Sequence, residues 1–66
     1  MTQEAAERFA TALLKQFGKD GEFQFELPES DQLELVAVAL KRAGCSVKLD
    51  FIKNAAAVKV PEVRLS

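Results

Sequence analysis

Residues 21–27 constrain the fold more than any other stretch, because polar and apolar side chains alternate strictly along it. The apolar members share one side and the polar members the other: Phe23, Phe25 and Leu27 against Glu22, Gln24 and Glu26. A period of two residues is typical of a β-strand with one buried face and one solvent face. The strand lies between two segments of helical period, so helices must pack against a sheet that contains it.

Both flanking segments have the spacing of amphipathic helices. In the first, apolar residues recur three and four positions apart: Ala6, Phe9, Ala10, Leu13 and Phe17. Thr2 is its predicted N-cap, and Gly18 is predicted to follow its C-terminal end. The second helix is predicted to begin at a Ser30 or Asp31 cap and to run to about Ala43, with Gly44 closing it. Its primary apolar stripe has four members: Leu33, Val36, Ala37 and Leu40.

The last part of the chain predicts a β-hairpin. With Lys53-Asn54 as a two-residue turn, three pairs fall on the core face: Phe51 with Ala56, Leu49 with Val58, and Val47 with Val60. Asn54 tolerates a positive φ, and a longer loop through Ala55 is the alternative. Pro61 either ends the third strand or forces a bulge, after which Val63 and Leu65 return to the core side.

The order α-β-α-β-β predicts an α+β fold, a two-layer α/β sandwich with two helices on one face of a three-stranded mixed sheet. A right-handed crossover makes the first two strands parallel. The third strand lies either at the outer edge or between the other two, as in a split βαβ unit. The central place is favoured because it separates Lys59 from Lys48. With 66 residues, the chain is expected to form a single domain over residues 1–66.

The composition argues against catalysis. The chain has no His, Trp or Tyr and a single Cys, so the usual nucleophile–base pairs and His-rich metal sites cannot be built. A magnesium site at Glu26, Glu29 and Asp31 is the remaining option, but carboxylates beside a helix N-terminus explain these residues without a metal. We therefore predict that the protein is not an enzyme and has no catalytic, cofactor-binding or metal-binding residues.

The charge pattern bears on partners and location. Nine Lys and Arg stand against ten Asp and Glu without a basic stripe, which disfavours nucleic acid. The apolar window 33–40 contains Glu34 and is too short to cross a bilayer, and the acidic start resembles no signal peptide. With one cysteine, these features predict a cytoplasmic protein that does not bind membranes. Cys45, at the negative end of the second helix, is expected to be buried and unreactive.

Residues 21–60 resemble the later part of small sulfur-carrier proteins of the TusA type. The shared features are a strand after a glycine, a proline with acidic residues, a helix, the segment Lys41-Arg42-Ala43-Gly44, and a hairpin. The resemblance implies two helices on a four-stranded mixed sheet. The chain lacks the first strand and the Cys-Pro motif that opens the first helix of those proteins. Because Cys45 lies at the opposite end of a helix, the resemblance does not extend to sulfur chemistry.

The second helix carries more apolar surface than contact with one sheet needs. Three further apolar residues widen its face, and one basic residue lies beside them: Leu35, Val38, Ala39 and Arg42. Either the first helix covers this surface, or it is an interface with a partner.

We therefore expect a small non-enzymatic protein–protein interaction module, an adaptor, regulator or inhibitor of a larger protein, with self-association into a homodimer as one form. The alternative is a weak nucleic-acid-binding domain that uses the solvent face of the sheet, with Lys48, Lys53 and Lys59 reaching phosphates. The acidic row on the first strand and the lack of aromatic residues on that face weigh against it.

Overall fold

The computed structural model describes residues 2–61. Its elements are α1 (Gln3–Phe17), a 3-10 turn (Gly18–Asp20), β1 (Glu22–Glu26), α2 (Ser30–Arg42), β2 (Ser46–Asp50) and β3 (Ala55–Lys59). The predicted α+β order of elements is confirmed. The expected return of Val63 and Leu65 to the core lies outside the described residues. No helix within residues 2–61 is long and apolar enough to cross a membrane.

The sheet has the order β1-β3-β2, which confirms the central position predicted for the third strand. β3 pairs antiparallel with both neighbours, so every paired strand is antiparallel and the sheet is not mixed at the level of hydrogen bonding. β1 and β2 run in the same direction, as a crossover through α2 requires, but they do not touch. Lys59 lies opposite Glu22 on one side and Ser46 on the other, away from Lys48.

The hairpin register differs from the predicted one by two residues. Val47 lies opposite Val58 and Leu49 opposite Ala56, so all three predicted cross-strand pairs are wrong. The turn is a four-residue loop, residues 51–54, because Asp50 Oδ1 accepts hydrogen bonds from the backbone N–H groups of Ile52 (3.0 Å) and Lys53 (3.3 Å). Phe51 consequently leaves the strand and lies on the surface, where the sequence pattern had predicted a core position.

The N-terminal capping residue of α1 is the predicted one, whereas that of α2 differs from the prediction. Thr2 Oγ1 accepts a hydrogen bond from the N–H of Ala5 (3.1 Å), as predicted. α2 is capped by Glu29 rather than by Ser30 or Asp31, and without a side-chain hydrogen bond. Its C-terminal end is a Schellman motif, since Gly44 (φ 95°) donates to Lys41 O and Cys45 donates to Leu40 O.

The core lies between the helix pair and one face of the sheet. Its buried members come from every helix and strand except β2, whose apolar residues are half-buried: Ala6, Ala10, Leu13, Phe23, Leu33, Val36, Ala37, Leu40, Cys45, Ala56 and Val58. α1 lies over β1, where the rings of Phe17 and Phe23 stack with centroids 5.9 Å apart. α2 lies over β2 and β3. Both helices therefore cover the same face, as the two-layer prediction requires.

Candidate interaction surfaces

The loop between β2 and β3, residues 51–54, displays apolar side chains to solvent; we call it the hairpin tip. Ile52 is 96% exposed and Phe51 is 54% exposed. Two adjacent large apolar side chains on the surface are unusual for a domain of this size, whose few large apolar residues are needed in the core. The hairpin tip is therefore the first candidate for a contact surface.

The hairpin tip is ordered by hydrogen bonds at both ends. Asp50 holds its first half through the two N–H groups already described. At the other end, Asn54 adopts a left-handed conformation (φ 50°), accepts a hydrogen bond from Leu27 N–H (3.0 Å), and donates from Nδ2 to Pro28 O (3.2 Å). The backbone that carries Ile52 is thus fixed before any partner arrives, which lowers the entropy cost of binding.

The solvent face of the sheet is concave beside the hairpin tip. The central strand contributes only small side chains there, Ala55 and Ala57, between the longer side chains of Gln24 and Lys48. The resulting depression has a volume of about 620 Å³ and is closed at one end by Phe51 and Ile52. The hairpin tip and this depression form one continuous surface.

The four interface residues predicted on the second helix lie together in a groove between α1 and α2. The groove has a volume of about 260 Å³ and is lined by Gln3 and Glu7 of α1 and four residues of α2: Leu35, Val38, Ala39 and Arg42. Its residues differ in exposure, since Leu35 and Ala39 are half-buried against the core while Val38 is 46% exposed. The fold therefore covers this surface only in part, and the interface with a partner stays a prediction.

An ion pair spans the same groove. Arg42 Nη1 lies 3.9 Å from Glu7 Oε1, and both side chains are mostly exposed. A long, solvated ion pair contributes little to stability. Arg42 therefore reaches toward α1 across the groove, and nothing in this geometry fixes it as a binding residue.

The charges of the solvent face do not form a basic surface. The rows across the three strands are Glu22-Lys59-Ser46, Gln24-Ala57-Lys48 and Glu26-Ala55-Asp50. Each lysine shares the face with carboxylates that repel phosphate, so this face of the sheet has no continuous basic surface. Among residues 2–61, no group of three or more His, Cys, Asp or Glu side chains is placed to hold a metal ion.

Cys45 is the one thiol of the chain, and its side chain lies within the core cluster. Burial raises the pKa of the Cys45 thiol, because an apolar environment disfavours the thiolate. The sequence predicted a low thiolate fraction from the negative field at the C-terminal end of α2. In the structure the cause is burial, and the pKa changes in the same direction. The folded chain therefore keeps its proton at pH values where the unfolded chain has lost it.

We expect Cys45 to react with a maleimide or disulfide reagent more than about tenfold more slowly in the native protein than in denaturant, because the sulfur is covered and its thiolate fraction is low. Labelling followed by mass spectrometry measures this ratio. The free energy of unfolding should also fall as the pH rises past the ordinary thiol pKa, since only the unfolded chain then ionises. Equal labelling rates in the two states would place the sulfur on the surface.

The fold and surfaces define a small α+β domain with an antiparallel three-stranded sheet and two helices on one face. No family model, no curated protein and no solved structure matches this chain.

Proposed function

We propose that this protein is a small protein-interaction module whose hairpin tip inserts Ile52 into an apolar pocket on a larger partner. The proposal depends on one observation: Ile52 is almost fully exposed on a loop whose backbone is fixed by hydrogen bonds. The protein would act without catalysis, as an adaptor, regulator or inhibitor in the cytoplasm.

Burial of the hairpin-tip side chains in a partner would supply the binding free energy of an interface anchor. Burial of an isoleucine side chain contributes about 2 kcal/mol, and the adjacent Phe51 adds apolar area at the same place. A rigid loop loses little conformational entropy on binding, so most of this free energy is available for affinity. Apolar anchors of this kind, surrounded by polar side chains, are typical of the centre of a protein interface. Here the surrounding polar residues are Asp50 and Lys53.

The experiment compares two matched variants, Ile52→Asp and Val38→Asp, with the wild type as immobilised bait in extract of the source cell. Both substitutions place a carboxylate at an exposed aliphatic position, one on the hairpin tip and one in the helix groove. We expect a protein that the wild type and V38D retain and that I52D loses. With that protein purified, calorimetry should show a dissociation constant at least about thirtyfold higher for I52D than for the wild type, the equivalent of about 2 kcal/mol.

Thermal melts provide the control, since I52D should change the free energy of unfolding by no more than about 0.5 kcal/mol. Equal retention by I52D and wild type would contradict the proposal, as would the failure of the wild type to retain any protein. Loss with V38D alone would assign binding to the groove that contains Leu35, Val38, Ala39 and Arg42, and would overturn the role of the hairpin tip.

A further inference from the structure

We infer that the outer edge of β2 is an interface between two copies of this chain. The two β2 strands pair antiparallel, so the dimer contains one continuous six-stranded sheet. No other part of residues 2–61 pairs with that edge. The inference concerns β2 and does not depend on a partner at Ile52. It is built from hydrogen-bond direction, side-chain burial and charge.

Two backbone hydrogen bonds establish which amides of the sheet point outward. Leu27 N–H donates to Asn54 O and Val60 N–H donates to Gly21 O, so residues 54, 56, 58 and 60 of the central strand direct their polar groups toward β1. Residues 55, 57 and 59 must therefore face β2, where they pair with residues 50, 48 and 46. Along β2 this leaves the N–H and C=O groups of Val47 and Leu49 pointing outward.

The residues with outward amides are also those whose side chains lie on the core face. Val47 and Leu49 are only half-buried, because they lie at the flank of the core where the sheet ends. A second β2 strand paired at this edge would place matching apolar side chains directly beside them. A contact centred on Leu49 thus satisfies the outward amide of Leu49 and covers its half-buried side chain.

Charge selects one register for this pairing. If the two-fold axis passes through Leu49, Lys48 of each copy lies opposite Asp50 of the other, in the close, non-hydrogen-bonded type of pair. If the axis passes through Lys48 instead, two lysines face each other. The Leu49-centred register is therefore favoured. It pairs residues 48–50 of the two strands and sets Val47 opposite Phe51, the first residue of the loop. Asp50 uses Oδ1 for the loop amides and has Oδ2 left for the lysine of the second copy.

The helices permit this arrangement. A two-fold axis perpendicular to the sheet keeps all four helices on one face. Because α2 lies over β2 and β3, the two α2 helices would be neighbours across the two-fold axis. The flank of α2 that faces away from α1 carries charges of both signs, Glu34 and Lys41, so two antiparallel copies do not bring like charges together along its length.

The opposite edge of the sheet limits the assembly to two copies. By the same argument from hydrogen-bond direction, β1 exposes the amides of Glu22, Gln24 and Glu26, whose side chains lie on the solvent face. Antiparallel pairing of two such strands about Gln24 sets Glu22 opposite Glu26 on both sides of the axis. Like charges directly opposite each other destabilise a strand pair, so β1 resists self-association and the dimer is closed.

The mass in solution is the first test. Light scattering on a sizing column and sedimentation equilibrium from micromolar to millimolar concentration should show a shift from 7.3 kDa toward twice that mass. Amide hydrogen exchange supplies a residue-level test, since Lys48 N–H bonds to β3 in every state whereas Leu49 N–H is protected only in the dimer. We expect protection of Leu49 that rises with concentration. A monomer at millimolar concentration, or protection of Leu49 independent of concentration, would overturn the inference.

Charge variants test the register. Lys48→Glu sets glutamate opposite Asp50, and Asp50→Lys sets lysine opposite Lys48, so each variant alone should dimerise at least about tenfold more weakly than the wild type. An equimolar mixture of K48E and D50K should recover the lost affinity, because each mixed dimer contains only opposite-charge pairs at these positions. Circular dichroism confirms that each variant is folded. Because D50K also removes the two hydrogen bonds from the loop amides to Asp50, recovery in the mixture is the decisive result.

Leu49→Pro provides an independent test, because it removes the outward N–H at the centre of the pairing, which makes no bond to β3, and should abolish dimerisation. Unchanged dimerisation of K48E, or no recovery in the mixture, would overturn the Leu49-centred interface. Should L49P not fold, the two charge variants still decide the outcome.

Discussion

Replacement of Leu40 by alanine is expected to lower the free energy of unfolding by about 3 kcal/mol. Leu40 is completely buried, and its neighbours come from both helices and the sheet. The substitution removes apolar contacts and leaves a cavity that such a small core cannot easily close. A domain of this size has a total stability of only several kcal/mol, so the variant should melt about 15 °C lower and be partly unfolded near 37 °C.

Val38→Ala is the matched control for this prediction, since it truncates an aliphatic residue on the same helix. Val38 is nearly half exposed, and alanine has the higher helix propensity, so the change should be within about 0.5 kcal/mol. Urea denaturation followed at 222 nm gives both values. Comparable losses at the two positions would mean that α2 does not present its Leu33, Val36 and Leu40 face to the core.

The helices and the first strand could be predicted from the sequence because their patterns have only one consistent arrangement. Alternation places Phe23 and Phe25 on the face opposite Glu22 and Gln24, and the observed strand has these faces. The stripe predicted on the second helix comprises the four residues that are buried there: Leu33, Val36, Ala37 and Leu40. The central place of β3 could also be predicted, since charge separation around Lys59 distinguishes the two topologies.

The hairpin register could not be predicted from alternation alone. A shift of two residues leaves every strand side chain on the same face, so Val47 can face either Val58 or Val60 without any change in the pattern. The turn decides between them. Asp50 accepts hydrogen bonds from the next two loop amides, which begins a tight turn, and Asn54 in the left-handed region ends it four residues later. The pair of Asp50 and Asn54 is the signal in the sequence that indicates the longer loop.

The sequence predicts the groove residues of α2 better than it predicts the hairpin tip. Helical spacing brings Leu35, Val38, Ala39 and Arg42 to one side of α2, and the structure places them in one groove. How far α1 covers them depends on the distance between the helices, which the buried Ala6 and Ala10 allow to be short. The hairpin tip could not be predicted in this way, because the alternation of the strand continues through Phe51 and predicts that Phe51 lies on the core face.

Phe23→Ala and Phe51→Ala together test this difference, because the alternating pattern treats both as core residues while the structure buries only one. Phe23 is 9% exposed, and its ring lies 5.9 Å from that of Phe17 and 6.4 Å from that of Phe25, measured between centroids. Its loss should lower the free energy of unfolding by about 3–4 kcal/mol, through the cavity and the lost ring contacts. The expected result is a chain that is largely unfolded in buffer at room temperature or slightly above it.

The same substitution at Phe51 should lower the free energy of unfolding by less than about 1 kcal/mol, because the ring is more than half exposed and the turn is held by Asp50 and Asn54. Urea melts of the two variants under identical conditions measure the difference. Similar losses would show that Phe51 packs in the core and that the hairpin has the two-residue turn. A large loss at Phe23 alone establishes that the ring of Phe51 contributes little to folding and is available for contact with another molecule.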